Sequence, residues 1–157
     1  MIEVRSATIT DAKALAELRW EFRSAQHEPA ESHDAFVRRC AAWMRRELQE
    51  SGAWKAWVAV DKHVIVGQVW LQTVAKIPNP YAVAEPEQLA YLSNLFVVLD
   101  ARGGTGTRLL EAALAWCREN RIDRVVLWPT RRSVSLYVGH GFSHGGDVME
   151  LHVSSPR

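Results

Sequence analysis

Three glycines within four positions separate an apolar, strand-like segment from an amphipathic, helix-like one. The stretch Arg102-Gly103-Gly104-Thr105-Gly106-Thr107 follows an apolar run that ends at Val98 and precedes an apolar helical stripe that starts at Leu109. Glycine adopts backbone conformations closed to other residues, so the amides of such a turn can point one way. The N–H groups that begin the following helix are unpaired and lie at the positive end of its dipole. The turn therefore predicts a phosphate or pyrophosphate seat, with a tight turn that binds nothing as the simpler alternative.

The overall charge of the chain does not favour anions, so any bound anion must be held by a local site. The 157 residues include 19 basic and 18 acidic side chains, for a formal net charge of +1. Nucleic-acid-binding domains carry a basic excess, which argues against a nucleic-acid partner. Hydrophobic residues make up 48% of the chain, enough for a sizeable core, and the length predicts a single domain over residues 1–157.

The cysteines, the histidines and the N-terminal segment predict a cytoplasmic protein without a metal. Cys40 and Cys117 form no Cys-x-x-Cys pair, and a Gly-Phe pair separates His140 from His144 and breaks helical ligand spacing. Residues 1–5 lack the pattern of a signal peptide, and no apolar run approaches the ~20 residues of a membrane span. We therefore expect neither a metal site nor a membrane partner.

Hydrophobic periodicity predicts a mixed α/β layer with the element order β-α-α-β-β-β-α-β-α-β. The predicted strands cover residues 2–5, 54–60, 64–74, 88–98, 123–128 and 148–153. The predicted helices start at Thr10, at Ser32 or Asp34, and after Gly106, and a short one covers residues 133–140. The antiparallel hairpin comes early and a βαβ crossover late, which indicates one sheet with antiparallel and parallel parts.

Two familiar phosphate-binding turns do not match the glycine stretch. A Walker A loop requires a lysine after its last glycine, whereas Thr107 and Arg108 follow Gly106 here. The dinucleotide-binding fingerprint requires a third glycine where this chain has Leu109, and it follows a first strand, whereas several strands precede this turn. An ATPase, a kinase and a Rossmann domain are therefore disfavoured, and the pyrophosphate of coenzyme A remains as a candidate ligand.

Two segments resemble motifs of the GNAT superfamily of N-acetyltransferases. Residues 95–110, LFVVLDARGGTGTRLL, resemble its motif A, and residues 133–142, SVSLYVGHGF, resemble its next motif. The predicted element order also matches that family over essentially the whole chain. The resemblance implies the GNAT acyl-CoA N-acyltransferase fold and an enzyme that moves an acetyl group from acetyl-CoA to a primary amine by direct attack in a ternary complex.

The resemblance also implies which residues form the site. Backbone N–H groups of Val97 and Val98 would hold the acetyl carbonyl and the pantetheine arm, and Tyr137 would protonate the thiolate leaving group, with a packed aromatic residue as the simpler alternative. The implied cofactor-binding residues are Val97, Val98, Arg102, Gly103, Gly104, Thr105, Gly106, Thr107, Thr130 and Ser133. Ala101 and Thr130 occupy positions where the family has a basic residue and an asparagine, which keeps a non-catalytic acyl-CoA-binding module open as an alternative.

A general base is needed because an ammonium group has no lone pair for the attack. Glu87, directly before the fourth predicted strand, is the best-placed candidate; Glu85, Glu21 and Glu28 are weaker ones. Solvated loop carboxylates are the simpler alternative for all of them.

The acceptor is expected to contact the first two helices and the proline-rich segment 76–87. Trp20 and Trp43 lie on those helices, and an aromatic, cationic small molecule suits such residues, with a protein N-terminus or lysine as the alternative. The other five tryptophans are expected mostly in the core: Trp54, Trp57, Trp70, Trp116 and Trp128. A homodimer is possible on this sequence.

Overall fold

The structure, a computed structural model, describes residues 1–49, 52–81 and 88–154 and divides into two compact units, Met1–Leu127 and Trp128–Arg157. In the described part of the larger unit the strands are β1 (Ile2–Ser6), β2 (Trp54–Asp61), β3 (Val64–Ala75), β4 (Gln88–Val97) and β5 (Ile122–Val126), and the helices are α1 (Ala12–Ser24), α2 (His33–Gln49) and α3 (Thr105–Glu119). The smaller unit contains the short helix α4 (Val134–Gly139).

The strands of the larger unit form one mixed sheet in the order β1-β2-β3-β4-β5. The pairs β1–β2, β2–β3 and β3–β4 are antiparallel, and β4–β5 is parallel with α3 as its crossover. A parallel pair needs such a crossover because its two strands run in the same direction. The mixed α/β class and the early hairpin predicted from periodicity are confirmed.

One face of the sheet packs against α1 and α2. Ala56 and Val58 of β2 and Trp70 of β3 form a buried cluster with Leu15 of α1 and Met44 of α2. Ala56 and Val58 are two positions apart, as expected for side chains on the same face, and Trp70 is the register partner of Ala56 on the neighbouring strand. The helical members recur at the spacing predicted for the first two helices, so amphipathic patterns alone located this layer.

The opposite face packs against α3. The rings of Trp57 on β2 and Trp116 on α3 are 6.3 Å apart. Leu109, Leu110 and Ala113 of α3 are fully buried, as the apolar stripe after the glycine turn predicts. Because α3 starts at the glycine turn, this packing places the turn at the end of β4.

The strand predicted over residues 148–153 is wrong. These residues form no strand in the structure, and Met149, Leu151 and Val153 are 96%, 83% and 91% exposed. Alternating apolar residues give the pattern of a strand, but a strand forms only where a neighbour completes its hydrogen bonds. Similarly, β5 ends before Trp128, whose side chain is 65% exposed and does not belong to the core.

A carboxylate joins β1 to the start of α1. Asp11 accepts hydrogen bonds from Nη1 and Nη2 of Arg5 at 2.9 and 3.0 Å and from the backbone N–H of Thr8 at 2.7 Å. The Asp11 residue is 7% exposed. The hydrogen bond from Arg5 holds the pKa of Asp11 below its usual value of 3.8. The charged form of Asp11 therefore stabilises the folded chain.

Replacing Asp11 by asparagine should lower the free energy of unfolding at pH 7 by about 1.5–3 kcal/mol, because a charge-assisted, two-point contact is lost. The folded-state pKa lies below the unfolded one, so this contribution is present above about pH 4 and is lost as the pH falls through the folded-state pKa. Urea unfolding at pH values from 7 to 3 measures this contribution. The difference in the free energy of unfolding between wild type and Asp11→Asn should become smaller as the pH falls. Asp34→Asn, at a side chain that is 89% exposed, is the control. Equal stability of Asp11→Asn and wild type at pH 7 would contradict this role.

Candidate functional site

The glycine turn adopts a left-handed backbone at two consecutive residues. Gly103 has φ +113° and Gly104, the N-cap of α3, has φ +103°. A Cβ built on either residue would meet no heavy atom within 4 Å. Glycine is therefore required here by the backbone conformation and not by crowding.

The turn leaves the first amides of α3 without partners. The N–H of Arg108 donates to the carbonyl of Gly104 at 3.1 Å and is the first helical bond. Within the described residues, the N–H groups of positions 105–107 have no backbone acceptor. The Thr105 hydroxyl donates to the Ala101 carbonyl at 2.6 Å, and this hydrogen bond across the turn stabilises its conformation. Three adjacent amides at a helix N-terminus are a suitable seat for a phosphate group.

Strand β4 separates from β5 halfway along its length. The parallel pairing joins Gln88–Tyr91 to β5, and no pairing beyond Tyr91 occurs in the part of the chain that the structure describes. A bulge in the β3–β4 register follows, and Asn94 in this region has φ +58°. A bulge bends its strand and increases the local twist. The second half of β4 therefore presents an open edge.

The two valines at the end of β4 differ in the use of their amides. The N–H of Val98 donates to the carbonyl of Val66 at 2.9 Å, so the free amide predicted for Val98 is wrong. Val97 is the register partner of Gly67 and lies one residue before that bond. Because hydrogen-bonding directions alternate along a strand, the N–H of Val97 points away from β3 to the open edge. The carbonyl of Val97 accepts a hydrogen bond from Arg102 Nε at 3.0 Å.

Thr130 and Ser133 of the smaller unit cap the start of a short helical segment. The N–H of Thr130 donates to Ser133 Oγ at 3.0 Å, and the N–H of Ser133 donates to the carbonyl of Thr130 at 3.0 Å. The two hydroxyl oxygens are 3.0 Å apart. The reciprocal bonds give both residues a local structural role, which is independent of their predicted contact with a cofactor.

Tyr137 is a buried phenol on α4. It is 7% exposed, and its ring centroid lies 5.5 Å from that of Phe142 in an edge-on contact. Burial raises the pKa of Tyr137 to about 12. The hydroxyl is therefore protonated throughout the neutral range and can donate a hydrogen bond or a proton, but it cannot serve as a base there.

The structure supports none of the carboxylate candidates for the base among the residues that it describes. Glu87 and Glu85 lie outside the described residues. Glu21 and Glu28 are exposed, on α1 and in the loop after it. The assignment of Glu87 therefore stays a prediction.

A cavity of about 580 Å³ lies in the larger unit between the α1–α2 layer and strands β2, β3 and β4. The described residues that line it are Arg19, Phe36, Arg39, Cys40, Ala42, Trp43, Met44, Arg46, Trp54, Trp70, Ser93 and Asn94. Trp43 lines the cavity, as the sequence predicts for a cleft at the first two helices. Trp70 lies in the core, as predicted, and its edge also borders the cavity, whereas Trp54 is only partly buried and lines it. Trp20 does not line it and packs against the rings of His33 and Phe36 at 5.4 and 5.7 Å. The seven tryptophans in 157 residues are a sequence signal for an aromatic wall, but their number does not identify which indoles meet.

Residues 1–49, 52–81 and 88–154 contain no cluster of three or more His, Cys, Asp or Glu side chains that would hold a metal ion. None of the helices in these ranges is both long and apolar enough to cross a membrane.

Solved structures of acetyltransferases share this fold. The structure of a predicted acetyltransferase with acetyl-CoA from Clostridium acetobutylicum has a TM-score of 0.79 and 17% identity, over 98% of this chain and 97% of that one. A GCN5-related N-acetyltransferase from Ralstonia eutropha has a TM-score of 0.76 and 22% identity, over 98% and 100%. Glucosamine-6-phosphate N-acetyltransferase from Arabidopsis thaliana has a TM-score of 0.71 and 15% identity, over 98% of this chain and 99% of that one. Likeness at these identities establishes the fold alone.

A comparison with curated proteins found no significant match. The family model described as acetyltransferase (GNAT) family matches residues 12–142, a range that contains the glycine turn, the open half of β4 and Tyr137. The match covers most of the chain and agrees with the shared fold, so this chain belongs to the GNAT acetyltransferase family.

Proposed function

We propose that the protein transfers the acetyl group of acetyl-CoA to the primary amine of a small molecule, by direct attack in a ternary complex. The observation that carries this proposal is the open half of β4, where the N–H of Val97 points to the free edge. A backbone amide at such an edge can donate to the thioester carbonyl and stabilise the oxyanion that develops during attack. Beyond Val97, the chain continues from β4 into the glycine turn, whose amides suit the CoA pyrophosphate.

The reaction forms one bond and breaks one bond, and it needs two proton transfers, one from the amine and one to the thiolate. The amine nitrogen bonds to the carbonyl carbon, the carbon–sulfur bond breaks, the amine loses a proton and the thiolate gains one. By family resemblance we assign the second proton to Tyr137, whose hydroxyl is protonated at neutral pH. Glu87 stays the proposed base, through its position directly before β4.

The remaining site assignments follow the same resemblance. The amides of Gly103, Gly104 and residues 105–107 would hold the pyrophosphate, with Arg102 beside them. Thr130 and Ser133 would contact CoA from the smaller unit. The family model extends across both units, which supports treating residues 1–157 as one domain.

The acceptor size and the compartment are supported by separate observations. A concave cavity of about 580 Å³ with four aromatic side chains among its lining residues suits a small molecule better than a lysine on a protein surface. Cys40 and Cys117 are both free thiols, which fits a reducing compartment such as the cytoplasm.

Isothermal titration with acetyl-CoA, followed by a thiol-release assay on a panel of primary amines, tests the proposal. We expect binding and amine-dependent release of CoA. Gly104→Val should weaken acetyl-CoA binding about tenfold or more, because a β-branched residue disfavours φ +103° and the amides of the turn lose their alignment.

The matched control is Gly146→Val, at a glycine where a Cβ meets no neighbour within 4 Å. It should bind acetyl-CoA as the wild type does. Absence of binding at millimolar acetyl-CoA would refute the proposal. Binding without thiol release from any amine would instead indicate a non-catalytic acyl-CoA-binding module.

A further inference from the structure

The cavity under α1 and α2 has a wall of mutually packed indole rings. The ring centroids of Trp43 and Trp54 are 5.6 Å apart, those of Trp43 and Trp70 are 5.7 Å apart, and those of Trp54 and Trp70 are 6.1 Å apart. Because each ring braces the others, the wall is rigid and its faces keep fixed directions. Such a wall suits a flat, apolar group, since aromatic pairs gain about 0.5–1.5 kcal/mol beyond the burial of their area.

The residues that the structure describes around this cavity give it positive charge. Within residues 1–49, 52–81 and 88–154, three arginines line it and no aspartate or glutamate does so. Arg39 is hydrogen-bonded to Glu31. Arg19 donates from Nη1 to Oδ1 of Asn94 at 3.2 Å and has no ion-pair partner in the described ranges. Burial lowers the pKa of Arg19 from its usual 12.5.

A guanidinium that is partly buried without a carboxylate is costly, because it has lost hydration and gained no opposite charge. An anionic ligand group would recover that cost and form two parallel hydrogen bonds with the fork of nitrogens. An aromatic, cationic acceptor, as expected from the sequence, would meet three guanidinium groups in this cavity and is therefore disfavoured.

The position of Arg19 relative to β4 suits a substrate that reacts at the open edge. Asn94, which holds the guanidinium, lies three residues before Val97 on the same strand. A regular strand would separate them by about 10 Å, and the bulge at Asn94 makes this an upper limit. An acetyl carbonyl on the Val97 amide, an attacking amine, a carboxylate a few bonds away and the guanidinium span a similar distance, with about 3 Å for each hydrogen bond.

Buried hydrogen bonds hold α1, and with it Arg19, in place over the sheet. Gln68 of β3 is fully buried and donates from Nε2 to the carbonyl of Leu15 at 3.0 Å. Its Oε1 accepts a bond from Trp70 Nε1 at 2.8 Å. Leu15 precedes Arg19 by one helical turn, so the chain of bonds links the guanidinium side of the cavity to its aromatic wall.

We propose that the acceptor is an aromatic amine that carries a carboxylate, with its ring against the half-buried Trp43 and Trp54, which Trp70 supports from the core side, and its carboxylate on Arg19. The inference rests on the proposed acetyl transfer and names the class of its acceptor. Aromatic α-amino acids are the simplest members of that class. Arg19 is then the residue that distinguishes the acid from its uncharged analogues.

The test compares kcat/KM for L-phenylalanine and L-tryptophan with that for L-phenylalaninamide and phenethylamine, in the presence of acetyl-CoA. The wild type should prefer the acids by about tenfold to 100-fold, the range expected for a charged hydrogen-bonded pair. The amine of L-phenylalaninamide is less basic than that of the acid, so its larger neutral fraction works against the expected preference. L-Alanine, which lacks the ring, should react at least tenfold more slowly than L-phenylalanine.

Arg19→Gln should abolish the preference, because glutamine retains a donor for Asn94 but has no charge. Arg19→Lys should keep part of it. Arg38→Gln, at an exposed arginine of α2 that does not line the cavity, should behave as wild type. Titration of tryptophan fluorescence with L-phenylalanine, without acetyl-CoA, should show Kd about tenfold higher in Arg19→Gln.

Several results would overturn the inference while the proposed function stands. The first is equal or faster acetylation of the uncharged analogues. The second is a preference for the acids that persists in Arg19→Gln. The third is failure of the wild type to acetylate either aromatic acid while it acetylates other amines. A preference for L-phenylalaninamide would point to peptide N-termini. Arg19-dependent binding of L-phenylalanine without acetyl-CoA binding would instead refute acetyl transfer and retain the ligand class.

Discussion

Tyr137→Phe is expected to slow acetyl transfer by about 10²–10⁴-fold while acetyl-CoA affinity changes by less than about threefold. The substitution removes the hydroxyl proposed to protonate the thiolate and keeps the ring that packs 5.5 Å from Phe142. Thiol release under saturating acetyl-CoA measures the first effect, and isothermal titration measures the second. Val64→Ala, at a side chain that is 61% exposed at the start of β3 and outside the proposed site, is the control and should retain full activity.

The pH dependence of the wild type gives a second readout of the same group. The pKa of Tyr137 is about 12, so the phenol stays protonated as the pH rises through the range in which amines become neutral. The rate of the wild type should therefore rise with pH to about 10 without a descending limb from this residue. A large loss of acetyl-CoA affinity with unchanged turnover in Tyr137→Phe would show that the phenol binds the cofactor and does not transfer a proton.

Trp70→Ala is expected to lower the free energy of unfolding by about 3–5 kcal/mol. Trp70 is 2% exposed and lies in the cluster that joins the sheet to α1 and α2. Its loss opens a void there and removes the donor to Oε1 of Gln68, a fully buried side chain. Urea unfolding followed by circular dichroism measures the change.

The matched control is Trp128→Ala, which removes an indole that is 65% exposed and should change stability by only about 0.5 kcal/mol. Trp70→Phe keeps most of the ring and should fall between wild type and Trp70→Ala. If Trp70→Ala and Trp128→Ala were equally stable, Trp70 would not support the layer of α1 and α2, and the rigid wall of the cavity would lose its basis.

Local patterns predicted the parts of this protein that depend on neighbours in the chain. The buried stripe of α3 and the N-cap of α2, where Ser32 Oγ accepts the N–H of Ala35 at 3.2 Å, follow from residues a few positions apart. The glycine turn belongs to this group, because its left-handed dihedrals are a local demand. The family resemblance rests on the same local segments, and the family match confirmed it.

Features that depend on partners distant in the chain were missed or predicted wrongly. The amide of Val98 is used by Val66, and this bond depends on the register between β3 and β4. The alternation at 148–153 suggested a strand, but no neighbour in the described chain completes it. Arg19 and Asn94 are 75 residues apart, and neither residue type marks a site by itself.

The sequence by itself therefore determined the mixed α/β class, the turn that suits a phosphate and the membership of the family, because each depends on dihedral preferences and periodicity along the chain. Tertiary structure alone decided which amide at the end of β4 stays free, which tryptophans meet in the cavity wall and where the guanidinium of Arg19 lies. These features depend on the register and packing of distant segments. In the proposed function, the residues that would hold CoA follow from local sequence patterns, whereas those that would select the acceptor depend on how α1 and α2 pack on the sheet.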